Sequence, residues 1–224
     1  MCQEQFCVNI VVVTSVTRSF RGVSADERLM QRRAALVEAA LEEIGELGVA
    51  QLRMNTVCKR AGLTQRYFYE HFGNRDELLA TVFDSVLDEV ITETIEKVNA
   101  AGPDIFERAS IALAIFYDTI ISDPRKARLY AESVGNAVVA EHKRNAVRRY
   151  ADFVAQQVSS VVGKMDNRNR SRLMMAILVL VGGQADAAAA LAGGSVTISR
   201  NDYIDLHARM LTDAIAASRT TNKK

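Results

Sequence analysis

The sequence predicts an all-α protein, and its composition and hydropathy pattern carry that prediction. Only two prolines and 12 glycines occur in 224 residues, whereas the strong helix formers Ala, Leu, Glu and Arg are abundant. Apolar residues recur every three or four positions over most of the chain, which is the spacing of one helix face. We therefore expect an N-terminal helical bundle over residues 24–80 and a larger C-terminal helical domain over residues 81–224.

The first helix is expected to begin near Ala25 and to run for about six turns. Ser24 stands three residues before Glu27, which is the reciprocal pattern of a capping box. An apolar stripe follows as far as Leu47, and Gly48 then supplies a C-terminal break. Residues 1–23, which precede this helix, are interpreted as a flexible arm or as a wrongly assigned start of translation.

Two short helices are expected next, at 54–61 and 64–72. Gly62 lies in the tight turn between them, and Thr64 occupies the N-cap position of the second helix. Two short helices around a glycine turn are typical of a helix-turn-helix motif.

A long fourth helix is expected from Asn74, which repeats the capping pattern, to about Val98. Proline suits the first position of a helix, so Pro103 and Pro124 each indicate a new start. The apolar spacing then predicts helices at 105–121, from 124 onward, and at 137–162, 168–192 and 201–218. The short connections between the last three favour a compact bundle of antiparallel neighbours.

The net charge of only +1 excludes a polybasic protein that binds nucleic acid through bulk charge. The charge is unevenly distributed, since residues 18–75 carry +3 and residues 76–224 carry −1. Arg18 and Arg21 could follow a phosphate backbone or a minor groove, or could equally form a solvated tail. Any contact with nucleic acid must therefore be local.

The second short helix carries the side chains best suited to read DNA. Gln65, Arg66 and Tyr67 project from its first turn, and such a helix presents its first residues to base edges in a major groove. Arg suits guanine and Gln suits adenine. Other residues on or beside the two short helices could contact phosphates, namely Asn55, Thr64, Tyr69, His71 and Arg75.

From about residue 31 to residue 79 the chain resembles the DNA-binding region of the tetracycline-repressor (TetR) family. The matching motifs are Ala39-Ala40, Gly48, Ala61-Gly62-Leu63, Tyr67-Phe68-Tyr69, His71-Phe72 and Arg75-Asp76-Glu77-Leu78-Leu79. By position, the resemblance assigns base reading to Gln65, Arg66 and Tyr67, and phosphate contacts to Tyr69, His71 and Arg75. Two residues depart from the family pattern, because Arg75 stands where many members have Lys, and Cys58 stands where alanine is common. Neither departure changes the expected contacts.

The resemblance implies a homodimer that binds a short palindromic operator in double-stranded DNA and is released from it by a small molecule. The expected location is the cytoplasm, because the three scattered cysteines favour a reducing compartment. No cofactor is expected. The expected pocket walls are aromatic and thioether side chains, any of which could instead be plain core: Phe116, Tyr117, Tyr130, Tyr150, Phe153, Met174 and Met175. The dimer is expected to use the last two long helices, through Leu173, Ile177, Leu180, Val181, Gln184, Ala188, Tyr203, Leu206, Met210, Leu211, Ala214 and Ile215.

Two other functions stay open. One is a DNA-binding protein without an effector. The other is a small helical enzyme, although no triad, metal cluster or phosphate loop is visible, and His142 and His207 lack metal-ligand spacing. Three cysteines favour a reducing compartment, where Cys58 is read as a packed thiol in preference to a redox sensor. The apolar run 173–181 is interpreted as a helix buried in protein, so no membrane is expected.

Overall fold

The computed structural model describes residues 24–132, 136–163 and 165–219, and the regular elements in these ranges are all helical. The expected arm at 1–23, with Arg18 and Arg21, lies outside the described residues. The helices are α1 (Ala25–Leu47), α2 (Met54–Arg60), α3 (Gln65–His71), α4 (Arg75–Ala100), α5 (Ile105–Phe116), α6 (Pro124–Glu132), α7 (Ala137–Val162), α8 (Asn167–Ala192) and α9 (Arg200–Arg219). A 3₁₀ turn (Val49–Gln51) precedes α2, and a π-helical turn (Tyr117–Ile121) continues α5. The predicted all-α fold is confirmed.

The start and end of α1 follow the predicted signals. The Glu27 amide donates to Ser24 Oγ at 3.0 Å, and the Ser24 amide donates to Glu27 Oε2 at 2.7 Å, which completes the capping box. Gly48 ends the helix with a φ of 91°, a backbone conformation that favours glycine. Asn74 also caps α4 as expected, accepting from the Glu77 amide at 2.9 Å.

Two predicted helix ends need correction, and the predicted N-cap at Thr64 is confirmed in position only. Thr64 stands at the N-cap of α3 but makes no capping hydrogen bond with its side chain. Pro103 lies outside α5, because Asp104 caps that helix by accepting from the Glu107 amide at 2.7 Å. The helix expected at 105–121 is α-helical only to Phe116, beyond which the π-helical turn begins. Proline favours the first position of a helix, but here the Asp104 carboxylate accepts from a free backbone amide of the first turn. The helix therefore begins after Asp104 and not at Pro103.

One apolar core joins the N-terminal helices to the rest of the chain. Phe68 of α3 and Phe72 are fully buried, with ring centroids 5.6 Å apart, and they pack with Phe83 of α4. The same cluster continues into Leu129 and Tyr130 of α6, and the Tyr130 ring stacks on Phe83 at 6.0 Å. Because this core crosses residue 80, the boundary between 24–80 and 81–224 stays a proposal.

Helix α6 is also held to the C-terminal end of α1 by a set of contacts that we call the α1–α6 joint. A Cβ placed on Gly45 would lie only 2.5 Å from Cγ of Arg125, so the close approach requires glycine. Arg128 donates to the carbonyls of Gly45 and Glu46 at 3.2 and 3.0 Å. Glu132 accepts from the Val49 amide at 2.7 Å. These bonds satisfy backbone groups that the end of α1 would otherwise leave unpaired.

A second core lies between α7, α8 and α9. Its buried members are Ala151, Val158, Leu173, Ile177 and Ile215. This overturns five of the twelve dimer contacts expected on α8 and α9, since Leu173, Ile177, Ala188, Tyr203 and Ile215 are buried within the monomer. Because α8 is apolar on almost every side, its spacing alone does not show which face turns inward.

The outer face of α8 is exposed in the single chain. Met175 and Val179 are 64% and 66% exposed, so one chain alone covers only part of the apolar run 173–181. Among the described residues, Asn167–Leu191 is the one stretch long and apolar enough to cross a membrane. Core helices of soluble proteins have the same length and composition, so this is only a weak indication.

Candidate nucleic-acid interface and internal cavities

Helix α3 is fixed by one buried side chain and turns its polar residues outward. Phe68 lies in the core, and its ring meets the Tyr69 ring edge-on at 5.6 Å. Gly62, with a φ of 66°, makes the turn that sets α3 against α2. Gln65, Arg66 and Tyr69 are therefore exposed together on one short helix.

Two of the side chains predicted to read bases form hydrogen bonds with other side chains of the protein. Gln65 Nε2 donates to Oδ1 of Asn55, which links the first turns of α2 and α3. Arg66 Nε donates to Oε1 of Glu70 at 3.2 Å, although 85% of the Arg66 side chain remains exposed. An exposed i,i+4 ion pair is worth only about 0.5 kcal/mol, so Arg66 is free to exchange it for a base edge.

The third predicted base reader, Tyr67, is half-buried beneath an arginine from α1. The Arg32 guanidinium carbon lies 4.4 Å from the Tyr67 ring centroid, and Arg32 Nη1 lies 3.4 Å from Oε2 of Glu70. Arg33 lies 5.2 Å over the Phe72 ring. The sequence did not predict these contacts of Arg32 and Arg33. It showed only that positive charge lies near the start of α1.

The predicted phosphate contacts occupy different environments. Thr64 and Tyr69 are exposed, whereas His71 is half-buried and its Nε2 atom has no hydrogen-bond partner among the described residues. Burial lowers the pKa of His71, Arg32 adds to this effect, Glu70 opposes it, and Arg33 lowers it slightly further. His71 is therefore disposed to be neutral, and a phosphate beside it would favour the protonated form.

Arg75, which was predicted to contact a phosphate, also forms a hydrogen bond within the protein. Its Nη2 atom donates to the carbonyl of Val49 at 2.7 Å, and its buried Nε atom lacks a partner among the described residues. Arg75 thus connects the first turn of α4 to the 3₁₀ turn after α1. Only the part of the guanidinium not used in this bond is available to a phosphate.

Cys58 lies on the buried face of α2 and packs into the core, and burial raises the pKa of its thiol. The side chain acts as a small apolar group there. Among the described residues, no group of three or more His, Cys, Asp and Glu side chains is close enough to hold a metal ion.

Two adjacent cavities lie inside the C-terminal helices. The larger, of about 100 Å³, is lined by residues of α4, α5, α7, α8 and α9 that include Phe153, Ile177 and Leu211. The smaller, of about 70 Å³, is lined by α4 to α8 and includes Phe116 and Tyr130. Both cavities are bordered by Leu113, Tyr150, Val181 and Gln184.

Four of the seven predicted pocket residues therefore line these cavities, namely Phe116, Tyr130, Tyr150 and Phe153. The other three do not. Tyr117 packs against Tyr203 with ring centroids 5.2 Å apart, Met174 packs on the second core, and Met175 faces outward. Sequence reasoning also missed the polar lining groups Arg108, Lys143, Gln157, Gln184 and His207, because polar residues on amphipathic helices ordinarily face solvent.

Comparisons with known proteins agree with this arrangement. Residues 36–82 match the family model described as bacterial regulatory proteins, tetR family. The chain is 27% identical over 186 residues to the HTH-type transcriptional regulator BetI of Burkholderia ambifaria, covering 78% of this chain and 93% of the relative. It is 25% identical to BetI of Rhizobium meliloti, covering 84% of this chain and 83% of the relative.

Solved structures show the same fold at lower identity. A TetR-like transcriptional regulator from a Rhodococcus species matches with a TM-score of 0.63 and 18% identity, covering 83% of this chain and 96% of that one. FadR of Bacillus subtilis, solved in complex with stearoyl-CoA, matches with a TM-score of 0.65 and 15% identity, covering 82% and 97%. Residues 36–82 thus form a DNA-binding domain of the tetR family of bacterial regulatory proteins, and the protein is a DNA-binding transcriptional regulator.

Proposed function

We propose that the protein is a homodimeric, cytoplasmic repressor that leaves a palindromic operator when a small molecule enters its internal cavities. The observation that carries this proposal is the path of α4, which begins beside α3 and borders both cavities. Asn74 caps α4 at the α3 end, Val90 lines the smaller cavity and Val98 lines the larger one. One rigid element thus joins the DNA-facing residues to the cavities. In this proposal residues 24–80 bind DNA and residues 81–224 bind the effector and the second subunit.

The assignment of DNA contacts rests on exposure and chemistry. Gln65 and Arg66 stand on the first turn of α3, where a recognition helix reads base edges. Tyr69, Thr64 and Asn55 are exposed around them and can donate to phosphates. We assign base reading to Gln65 and Arg66, with Tyr67 held half-buried behind them, and phosphate contacts to the others, including His71 and the free part of Arg75.

A dimer accounts for the apolar strip that one chain leaves in solvent. Met175 and Val179 on α8 are exposed, as are Leu206 and Met210 on α9. Exposed apolar strips on adjacent helices are typical of subunit interfaces, and a two-fold axis would bring four such helices together. Of the residues first expected at the interface, Leu206 and Met210 keep this role.

An internal site accounts for the cavities below α4. Their walls combine aromatic rings with a few polar groups, which is typical of small-molecule sites. The structure of FadR with stearoyl-CoA supports a small-molecule effector for a protein of this fold.

The experiment is a DNA-binding titration with the full-length protein on the region upstream of its own gene. We expect a saturable shift that a Gln65→Ala/Arg66→Ala double variant loses, and that the wild type loses when a cell metabolite extract is added. An Arg149→Gln variant, changed on the exposed face of α7, serves as the control. Binding that the double variant retains would refute the assignment of α3, and binding that no extract weakens would favour a repressor without an effector.

A further inference from the structure

We infer that the effector is an anionic amphiphile, whose linear apolar chain fills the two cavities and whose charged head is held by Lys143, Arg144 and Arg148 between α7 and α8. The inference rests on the proposed effector site and adds the chemical class of the ligand to it.

The two cavities and a groove outside them form three adjoining spaces. The two cavities share a border at Leu113, Tyr150, Val181 and Gln184. Outside the smaller cavity lies a wider groove of about 330 Å³ between α7 and α8, which we call the α7–α8 groove. Lys143 and Val147 line both the smaller cavity and this groove. An elongated molecule can therefore lie with one end inside the protein and the other in the groove.

The charged side chains along this path are positive. Within the described part of the chain, the residues that line the three spaces include Arg108, Lys143, Arg144 and Arg148 but no Asp or Glu. Asp186 acts on Lys143 and Tyr130 without lining these spaces, so a cationic ligand would touch no carboxylate there, whereas an anion finds several possible partners. The apolar walls between these cations exclude a ligand that is polar throughout.

Lys143 is half-buried where the smaller cavity meets the groove. Its Nζ atom lies 6.0 Å from the centroid of the Tyr130 ring, and within the described residues Lys143 forms no ion pair with a carboxylate. Burial lowers the pKa of Lys143, an effect that exposed Asp186 on α8 only partly opposes. A half-buried ammonium without a close counter-ion is stabilised by an anion that arrives with the ligand.

The α7–α8 groove contains two further positive side chains beyond Lys143. Arg144 and Arg148 lie one helical turn apart on α7, and like charges at this spacing repel one another. Neither forms an ion pair within the described ranges, whereas the neighbouring Arg149 lies 3.8 Å from Asp88. Gly182, on the α8 side of the groove, has open space where a side chain would stand. The groove therefore suits a bulky head with more than one negative charge.

The opposite end of the path is less suited to the head. Arg108 Nε donates to the carbonyl of Gly102 at 2.7 Å, and its Nη1 donates to Oε1 of Gln157 at 2.8 Å. Its Nη2 atom faces the carbonyl of Ala101 at 3.4 Å. Because these donors already hold the loop before α5, we place the end of the apolar chain there and the head at Lys143.

The test is calorimetric titration of the full-length protein, without DNA, with three amphiphiles of equal chain length below their micellar concentrations. These are dodecanoate, dodecanoyl-coenzyme A and dodecyltrimethylammonium. We expect both anions to bind at least tenfold more tightly than the cation. Affinity should also rise roughly fourfold for each methylene added between octanoate and decanoate. Equal affinity for anion and cation, or no dependence on chain length, would overturn the inference.

Matched variants distinguish the parts of the head site. Lys143→Gln should weaken dodecanoate about tenfold or more, whereas Lys97→Gln, on the exposed face of α4, should not. Arg144→Gln/Arg148→Gln should weaken the coenzyme A thioester selectively, with Arg149→Gln as its control, if the natural head carries phosphates. A loss limited to Lys143→Gln would indicate a simple carboxylate head. Unchanged dodecanoate affinity in Lys143→Gln would refute the site, provided that its thermal unfolding matches the wild type.

Failure of this inference and failure of the proposed function give different results. If the anions bind but leave the operator complex intact, the ligand class stands and effector release fails. If a metabolite extract releases the operator while neither anion binds, release stands and the ligand class is wrong.

Discussion

At the scale of single residues, Glu70 places a negative charge on the helix that is proposed to face DNA. Arg66 and Arg32 both contact its carboxylate, at 3.2 and 3.4 Å, and so offset a charge that would repel phosphates. The two arginines differ in what else holds them. Arg32 is stacked over Tyr67, whereas Arg66 has only this one ion pair within the described part of the chain. Arg66 is therefore the side chain able to turn towards a base.

We expect Arg66→Ala and Tyr69→Phe to weaken operator binding in different ways. Losing the guanidinium should change the preference for one base pair by about 1–3 kcal/mol, because a bidentate contact to guanine is specific. Losing the Tyr69 hydroxyl should weaken binding to all sequences alike, since a phosphate contact carries no sequence information. The measurement is binding to a set of operators with single base changes, at fixed salt and with Arg149→Gln as control. Identical profiles for the two variants would contradict the division of roles.

We expect Cys58 to resist thiol reagents until the protein unfolds. Burial raises the pKa of its thiol, so less of the reactive thiolate is present in the folded protein than in a free cysteine at the same pH. The measurement is labelling at pH 8 in a variant whose Cys2 and Cys7 are replaced by serine. Labelling should become fast only in urea. Fast labelling in buffer alone would restore the redox-sensor interpretation.

At the scale of elements, the backbone amide and carbonyl of Val49 form hydrogen bonds with two different helices. Its amide donates to Glu132 of α6, and its carbonyl accepts from Arg75 at the start of α4, both at 2.7 Å. Arg128 Nε, one turn earlier on α6, contacts the same Glu132 carboxylate at 2.8 Å. The α1–α6 joint thereby connects α6, which carries the cavity residue Tyr130, to the helix that follows α3.

We expect Glu132→Ala to lower the free energy of unfolding by about 1–3 kcal/mol, because Val49 is buried and its amide would lose its acceptor. The measurement is urea unfolding of the full-length protein, with Glu141→Ala on the exposed face of α7 as control. A loss no larger than that of the control would mean that water or a neighbouring group replaces the carboxylate.

The helix ends also show how far the sequence alone could predict the structure. Ser24 and Asn74 were identified as caps because each bonds to an amide three residues away, within the reach of a local pattern. The bond from Arg75 to Val49 joins residues 26 positions apart, and no local pattern encodes it. The orientation of Met175 was missed for another reason. On a helix that is apolar all round, both the inward and the outward face satisfy the same spacing.

At the scale of the whole molecule, the apolar strip on α8 and α9 determines the expected assembly. We expect Val179→Glu to give a folded monomer at micromolar concentration, because a charge would have to be buried without a partner at the proposed interface. The measurement is sedimentation, with helicity followed by circular dichroism. Val196→Glu is the matched control, since Val196 is also exposed but lies in the connection between α8 and α9 and on neither helix. A wild-type monomer, or a Val179→Glu dimer, would refute the interface.

The last prediction concerns the coupling between the two ends of α4. Two recognition helices fit successive major grooves only when they lie about 34 Å apart. A small tilt of α4 at the cavities would move α3 in each subunit and change this distance, and operator affinity would change with it. A ligand that binds the spread dimer more tightly must weaken operator binding, and the operator must weaken ligand binding by the same factor, typically about five- to 150-fold. Titrating dodecanoate with and without saturating operator, and operator with and without saturating dodecanoate, measures both factors. Unequal factors would indicate that the ligand also binds outside the cavities, and equal affinities throughout would leave a ligand-binding protein without allosteric control.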